Sequence, residues 1–550
     1  NRKYSSGERF IDPLSSKTTA APNEGGHNLG DLYVDDGNSL NWNANAALYY
    51  TRSFNKHNLN LSVAWEASSG SSDATNVHYR GFPSGQFHSS NYAAEIYEKP
   101  SRTEGTSRMV SAWATGNYTW NDIYLADFSV RFDGSSDFGS KQRWAPFFSG
   151  GLGVNIHNYE FLKGNEIVNK LKVRASYGRT GKASFPAYAA TTMYEALFDE
   201  WYATGFGAVL KALGNNNLTW EKTDKFNVGI EMQFLNRRLT VDADYYHDKT
   251  IDLVNDVSLS QTSGFSSYKD NMGEVLNQGF ELQVRGEVFR NRDWLVALWG
   301  NMAHNKNKIL KISDSQRAYN QRVKEFYENI VNEEYGRYNS KYGVPISQYE
   351  EGQSLTSIWA VKSLGIDPTT GKEIFLNRDG SVSDTWNATQ EVAVGNTEPK
   401  FNGSIGFNAA YKQWSLFAAF QYEWGGQEYN QTLVDRVENA RIQYQNVDLR
   451  VLTDRWKQPG DIAQFKDIKN ADSATMPTSR FVQDKAYLRL SALTLSYDFN
   501  REWIKKYLGM NMLRLEASTR DFINWNSIRQ ERGLSYPKSW TVDFSIKAQF

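Results

Sequence analysis

Along SWTVDFSIKAQF, residues 539–550, apolar side chains fall on every second position: Trp540, Val542, Phe544, Ile546, Ala548 and Phe550. A period of two belongs to an extended strand whose two faces meet different surroundings. The same alternation is carried by Leu40–Tyr50, Leu59–Trp65, Val110–Trp120, Ala126–Phe132, Phe148–Ile156, Leu171–Tyr177, Phe226–Phe234 and Leu239–Tyr245. It continues through Phe280–Val288, Trp294–Met302, Phe401–Tyr411, Trp414–Trp424, Leu493–Phe499 and Leu513–Ala517. With 40% hydrophobic residues one such run arises easily by chance, but fifteen in succession do not. An eleven-residue strand rising about 3.3 Å per residue and tilted by about 45° spans roughly 25 Å, the height of an outer-membrane apolar band. On this reading Trp540 and Phe550 mark the two aromatic girdles.

The joins carry a second pattern. Short ones (51–58, 121–125, 235–238, 289–293, 412–413) alternate with long ones (66–109, 181–225, 246–279, 304–400, 425–486). Two joins of middle length, 157–170 and 500–512, and a shorter loop at 133–147 depart from the rule. A transmembrane barrel has short periplasmic turns and long extracellular loops. The pattern therefore predicts an all-β fold, a transmembrane antiparallel β-barrel whose last strand runs to the periplasmic side. Soluble sandwiches and propellers also alternate, but they favour strands of about 5 to 6 residues and have no reason to gather the long loops on one side. The longest apolar runs, such as WLVALW at 294–299, are far too short for a membrane helix.

Composition narrows the function. The chain of 550 residues holds 31 Tyr, 30 Phe and 17 Trp, yet it is polar on average, which suits strands with one wet face. Sixty-one Lys and Arg against 62 Asp and Glu leave no net field to gather nucleic acid. The absence of Cys excludes disulfides, thiolate metal sites and a cysteine nucleophile. Seven dispersed His show no metal-ligand spacing, and no nucleophile elbow or phosphate loop occurs, so neither an enzyme, a metal nor a cofactor is expected. Acidic groups such as Asp31, Asp35 and Asp36, or Asp379 and Asp384, lack the spacing of a calcium loop and read as solvated loop carboxylates.

Candidate contacts follow from phase and from loops. Arg131 and Arg174 fall on the polar phase and are expected to face the lumen, in ion pairs rather than on substrate. In RFDGSSDFG (131–139), Asp133 and Gly134 read as a turn directly after a strand. The long loop 181–225 carries Phe185, Tyr188, Tyr194, Trp201, Tyr202 and Phe206 among polar neighbours. Such rings can stack on sugars or peptide side chains, or can pack the loop itself. Apolar spacing in 314–334 predicts a surface helix on loop 304–400.

Several longer stretches resemble a known family. RFDGSSDFG, LKVRASYGRTG (171–181), NNNLTWEKTDKFNVGIEMQFLNRRLTVDADYYHDKTIDLV (215–254), NMGEVLNQGFELQV (271–284), GIDPTTGKEIF (365–375), VGNTEPKFNGSIGF (394–407), YLRLSALTLSYDF (487–499) and LRLEASTRDFINW (513–525) resemble SusC/RagA-type TonB-dependent transporters of Bacteroidetes outer membranes. The resemblance implies a 22-stranded barrel holding an amino-terminal plug, capped by a SusD-like surface lipoprotein and driven through TonB to import an oligosaccharide or peptide. It implies that residues 40–550 supply about 15 of those strands, that 1–39 belong to an extracellular loop, and that an amino-terminal portion supplies the rest. Asn1 is then expected to interrupt a longer protein, with the carboxy terminus a true end. An adhesin or passive receptor, binding through its loops without transport, is the alternative expectation.

Overall fold

A computed structural model describes residues 2–11, 30–82, 89–138, 142–182, 190–202, 205–212, 214–215, 217–258, 267–271, 273–332, 344–440, 447–470, 475–499, 501–528 and 540–549. Its main element is an antiparallel sheet of eighteen strands, two of them only two and three residues long. The sixteen long strands are Arg2–Ile11 (β1), Gly30–Phe54 (β2), His57–Phe82 (β3), Ser101–Trp120 (β4), Tyr124–Ser135 (β5), Trp144–Asn155 (β6), Val168–Lys182 (β7) and Glu221–Phe234 (β8). They continue with Leu239–Ile251 (β9), Glu274–Arg290 (β10), Trp294–Lys311 (β11), Phe401–Tyr411 (β12), Trp414–Tyr429 (β13), Val482–Asp498 (β14), Met512–Thr519 (β15) and Val542–Gln549 (β16). Each pairs with the next in the chain, giving an up-and-down meander.

Each of the fifteen alternating segments falls on a strand over its described apolar residues, apart from Ile156, Phe499 and Trp540, which lie just beyond strand ends, and the apolar phase points outward. Leu152 is 69% exposed and Phe544 82%, although both sit mid-strand in very regular ladders. An apolar stripe repeated on every strand would cost about 1.5–3 kcal/mol per large side chain in water, so its natural cover is lipid. Among the described residues no helix is long and apolar enough to cross a membrane, and the crossing is made by strands.

The turns explain themselves locally. Asn55, Asn121 and Asp122 adopt left-handed backbone angles, which Asn and Asp tolerate better than most residues. Together with 156–167 and 499–511 the short joins lie at one end of the sheet, and the long loops at the other.

Three sequence expectations change. The segment 1–39 contains a strand, β1, which pairs residues 2–11 with 31–40. Strands β2 and β3 run for 25 and 26 residues, so their outer halves form a blade beyond the apolar band. Asp133 and Gly134 are ladder residues of β5, paired with Ala145 and Trp144, and the turn begins only at Ser136. Glycine is needed there because a Cβ on Gly134 would lie 2.5 Å from the Trp144 ring.

The sheet has two unpaired margins. Among the described residues Trp42–Phe54 of β2 are paired on one side only, by β3, and β16 only by β15.

Candidate functional site: the polar wall and its outer platform

The face opposite the apolar stripe is built of charge pairs that cross from strand to strand. Arg174 reaches Asp244 at 2.6 Å, Glu231 at 3.3 Å and Asn227 at 3.2 Å. Lys170 and Lys172 share the same Glu231, at 2.6 and 3.2 Å. Arg179 holds Asp224 through two nitrogens, at 2.6 and 2.8 Å. Arg131 is tied within its own neighbourhood: its Nε donates to Asp133, its Nη2 to Ser111 at 2.9 Å, and its guanidinium lies 4.8 Å from the Trp113 ring. These pairs are half-exposed, so each is worth roughly 0–1 kcal/mol. Their effect is on shape: the wall presents fixed hydrogen-bonding groups rather than loose side chains.

At the outer end two loops, 312–400 and 430–481, fold into a platform. The expected helix is present as Asp314–Asn332, and Val323 and Tyr327 bury against Ala388, with Ile346, Trp386 and Met476 around them. Tyr327 donates to the carbonyl of Val344 and accepts from the amide of Ile346. A second apolar cluster joins Leu433, Val434, Val437, Val451, Phe465 and Phe481.

Between these clusters lies a buried charge knot. Arg480 donates to Glu438 at 2.6 and 3.2 Å and to Glu373 at 2.8 and 3.1 Å, so it ties one loop to the other. Burial opposes the charge of Arg480, but Glu373 and Glu438 more than offset this and raise its pKa. Arg455 donates to the carbonyls of Lys466, Val437 and Glu438 and supports the same turn. Lys466, beside Thr475, is pushed down to about 8 by burial. Glu391, fully buried next to Gln348, is pushed up to about 8 by burial.

A polar cavity of about 1050 Å³ opens where the wall meets the platform, between the outer ends of β11, β13 and β14. Asn305, Asn307, Glu398, Gln427 and Asp484 line it with amides and carboxylates, and Trp424 adds a ring that is 66% exposed. Such a lining offers hydrogen bonds to hydrophilic molecules.

The aromatic candidates are partly gathered. Phe185 and Tyr188 lie outside the described residues. The other four share one hairpin, Met193–Tyr202 against Gly205–Ala212, in which Trp201 pairs with Phe206 and Tyr202 with Gly205 at the tip. The side chains of Trp201, Tyr202 and Phe206 are outside the described set, whereas Tyr194, opposite Leu210, is 70% exposed. The base of this loop is fixed by Asn215 on Asp270 at 2.8 Å and by Asn271 on the carbonyl of Thr219. Trp540 sits edge-on to Phe522 at 5.0 Å, and Phe550 is outside the described residues. The charge knot is what sequence reading missed, because Glu373, Glu438 and Arg480 are far apart in the chain and ordinary in their local contexts. Among the described residues no cluster of His, Asp and Glu could hold a metal ion.

The sequence pattern of the family described as "TonB dependent receptor-like, beta-barrel" matches residues 4–518. The chain belongs to that family. It is 26% identical over 504 residues to TonB-dependent receptor P3 of Formosa agariphila, covering 90% of this chain and 49% of that protein. To TonB-dependent receptor SusC of Bacteroides thetaiotaomicron it is 30% identical over 305 residues, 51% of this chain and 29% of that one. The solved RagAB peptide transporter superposes with a TM-score of 0.81 at 22% identity, over 96% of this chain and 55% of its own. The chain thus spans about half the length, or less, of the curated relatives it matches. As a TonB-dependent receptor-like β-barrel it is an outer-membrane protein that crosses by strands, in a family of receptors. Its short turns are periplasmic and its platform is extracellular.

Proposed function

We propose that this chain forms the carboxy-terminal wall and outer platform of an energised importer of oligomeric nutrients, glycan or peptide. The observation that carries this reading is the polar wall roofed by a platform whose two loops are locked by Arg480. A hydrophilic oligomer held under the platform meets hydrogen-bonding groups all the way down the wall. The remaining strands and a plug come from a portion beyond these residues, a SusD-like surface lipoprotein closes over the platform, and TonB pulls on the plug. Tyr194 and the aromatic tip of its hairpin are offered as the first contacts of the substrate, and Arg131 and Arg174 as part of the lumen.

The test uses the full-length protein in its own cells. The complex is purified from the outer membrane, copurifying lipoprotein and ligand are identified by mass spectrometry, and uptake of that ligand is followed with and without a protonophore. Uptake that stops when the proton gradient collapses, together with a copurifying lipoprotein, is the expected result. Binding with no uptake makes the protein a passive receptor, and uptake indifferent to the gradient makes it a pore.

A further inference from the structure

The periplasmic turn between β14 and β15 is not a simple turn. It contains the helix Arg501–Leu508, in which Trp503 and Tyr507 are four residues apart and share one face, and the ring of Phe499, just ahead of the helix, stacks on Trp503. This face continues the outward apolar phase of the wall. Trp414 lies tilted against Tyr497 at 4.8 Å, Tyr497 meets Phe499 at 5.0 Å, Phe499 meets Trp503 at 6.1 Å, and Trp503 meets Tyr507 at 5.8 Å. The result is an unbroken file of rings from the lipid-facing surface onto the helix.

The other faces of the helix are different. Ile504 is 1% exposed and seats the helix on the protein, whereas Trp503 and Tyr507 are 48% and 63% exposed. Lys505 and Lys506 occupy the last turn, and the Nζ of Lys506 lies 5.3 Å from the Tyr507 ring. At about 100° per residue Lys506 flanks the aromatic face, while Glu502 and Lys505 lie further round. Rings on one side with cations beside them suit the boundary between acyl chains and phosphates.

A second turn repeats the arrangement. In 156–167 the file runs Trp120, Tyr124, Tyr159, Phe161, with successive centroids 5.2, 6.2 and 5.8 Å apart, and Phe161 is 74% exposed.

We infer that the helix Arg501–Leu508 is a membrane foot that lies in the periplasmic leaflet, with Trp503 and Tyr507 in the interface and Lys506 on the phosphates of glycerophospholipids. The continuity of its rings with the lipid-facing wall selects lipid over a periplasmic protein as the occupant. The inference is independent of what the barrel transports.

Because this chain has no Cys, spin labels can be placed singly in the full-length protein once any thiols elsewhere in it are removed. The protein is reconstituted in bilayers containing phosphatidylglycerol, and W503C, Y507C and E502C are labelled. Labels at 503 and 507 are expected to respond to oxygen more than to a water-soluble nickel chelate, and the label at 502 the reverse. A chelate response at 503 and 507 equal to that at 502 overturns the inference, and shielding from both reagents shows a protein cover instead. The two aromatic sites report independently, so misfolding of one variant leaves the other to decide. The Lys506→Gln variant is expected to weaken phosphatidylglycerol retention in native mass spectrometry by about fivefold. Unchanged retention removes the headgroup contact.

Discussion

Arg480 stands between two carboxylates in a dry interior, and each is bound to it through two of its nitrogens. Substituting Arg480→Met leaves Glu373 and Glu438 facing each other without a cation between them, a loss on the order of 3–5 kcal/mol. The expected result is faster amide exchange across 362–383 and 430–481, with exchange in β4 to β11 unchanged, read by hydrogen–deuterium mass spectrometry. Glu391 makes a different prediction. Its carboxyl is raised from 4.5 to about 8 in the folded platform, so the folded state keeps a proton that the unfolded chain releases over that range. Stability is therefore highest below the ordinary carboxylate pKa, falls as pH rises through the window up to about 8, and is flat above it. At 1.36 kcal/mol per pKa unit the drop is on the order of 5 kcal/mol. In Glu391→Gln the exchange protection of the helix Asp314–Asn332 is expected to be nearly the same at pH 6 and pH 9, while in the native protein it weakens.

At the scale of strands, the two faces differ in what they meet, and substitutions separate them. Leu298 lies midway along the alternating segment 294–302 of β11 on the outward face, 51% exposed, whereas Gln283 of β10 lines the inner face beside Asp242 of β9. Leu298→Arg is expected to cost about 2–4 kcal/mol, and Gln283→Arg less than 1 kcal/mol. Urea titrations of the full-length protein in liposomes would give the difference, and equal costs would mean that the outward face does not meet lipid. This contrast is also why so much of the wall was legible in sequence. Between water and lipid each residue must declare its side, so the period of two is written into every strand. Strand β1 was not legible for the converse reason: RKYSSGERFI and its partner segment 31–40 lie beyond the apolar band, where neither face meets lipid and the pairing is made by the backbone. The platform was legible only as a helix, because its charge knot joins residues whose proximity no local pattern records.

For the molecule as a whole, the decisive feature is the pair of unpaired margins. Along Trp42–Phe54 of β2 and along β16 the outward-facing side chains are those of a lipid-facing strand, among them Leu48 at 74% and Ile546 at 72% exposure, so both margins lie at membrane depth. Each unpaired amide or carbonyl there costs several kcal/mol in hydrocarbon, which no surface ion pair offsets. Sixteen strands that left these margins open would therefore not be stable in a bilayer by themselves. Residues 1–550 unfolded in urea and diluted into liposomes are expected to remain sensitive to protease and to show no shift between heated and unheated samples on a gel. The full-length protein under the same conditions is expected to become protease-resistant and heat-modifiable. Should residues 1–550 alone reach that state, β2 and β16 would have to close on each other, and the smaller barrel would leave no place for strands supplied from beyond these residues.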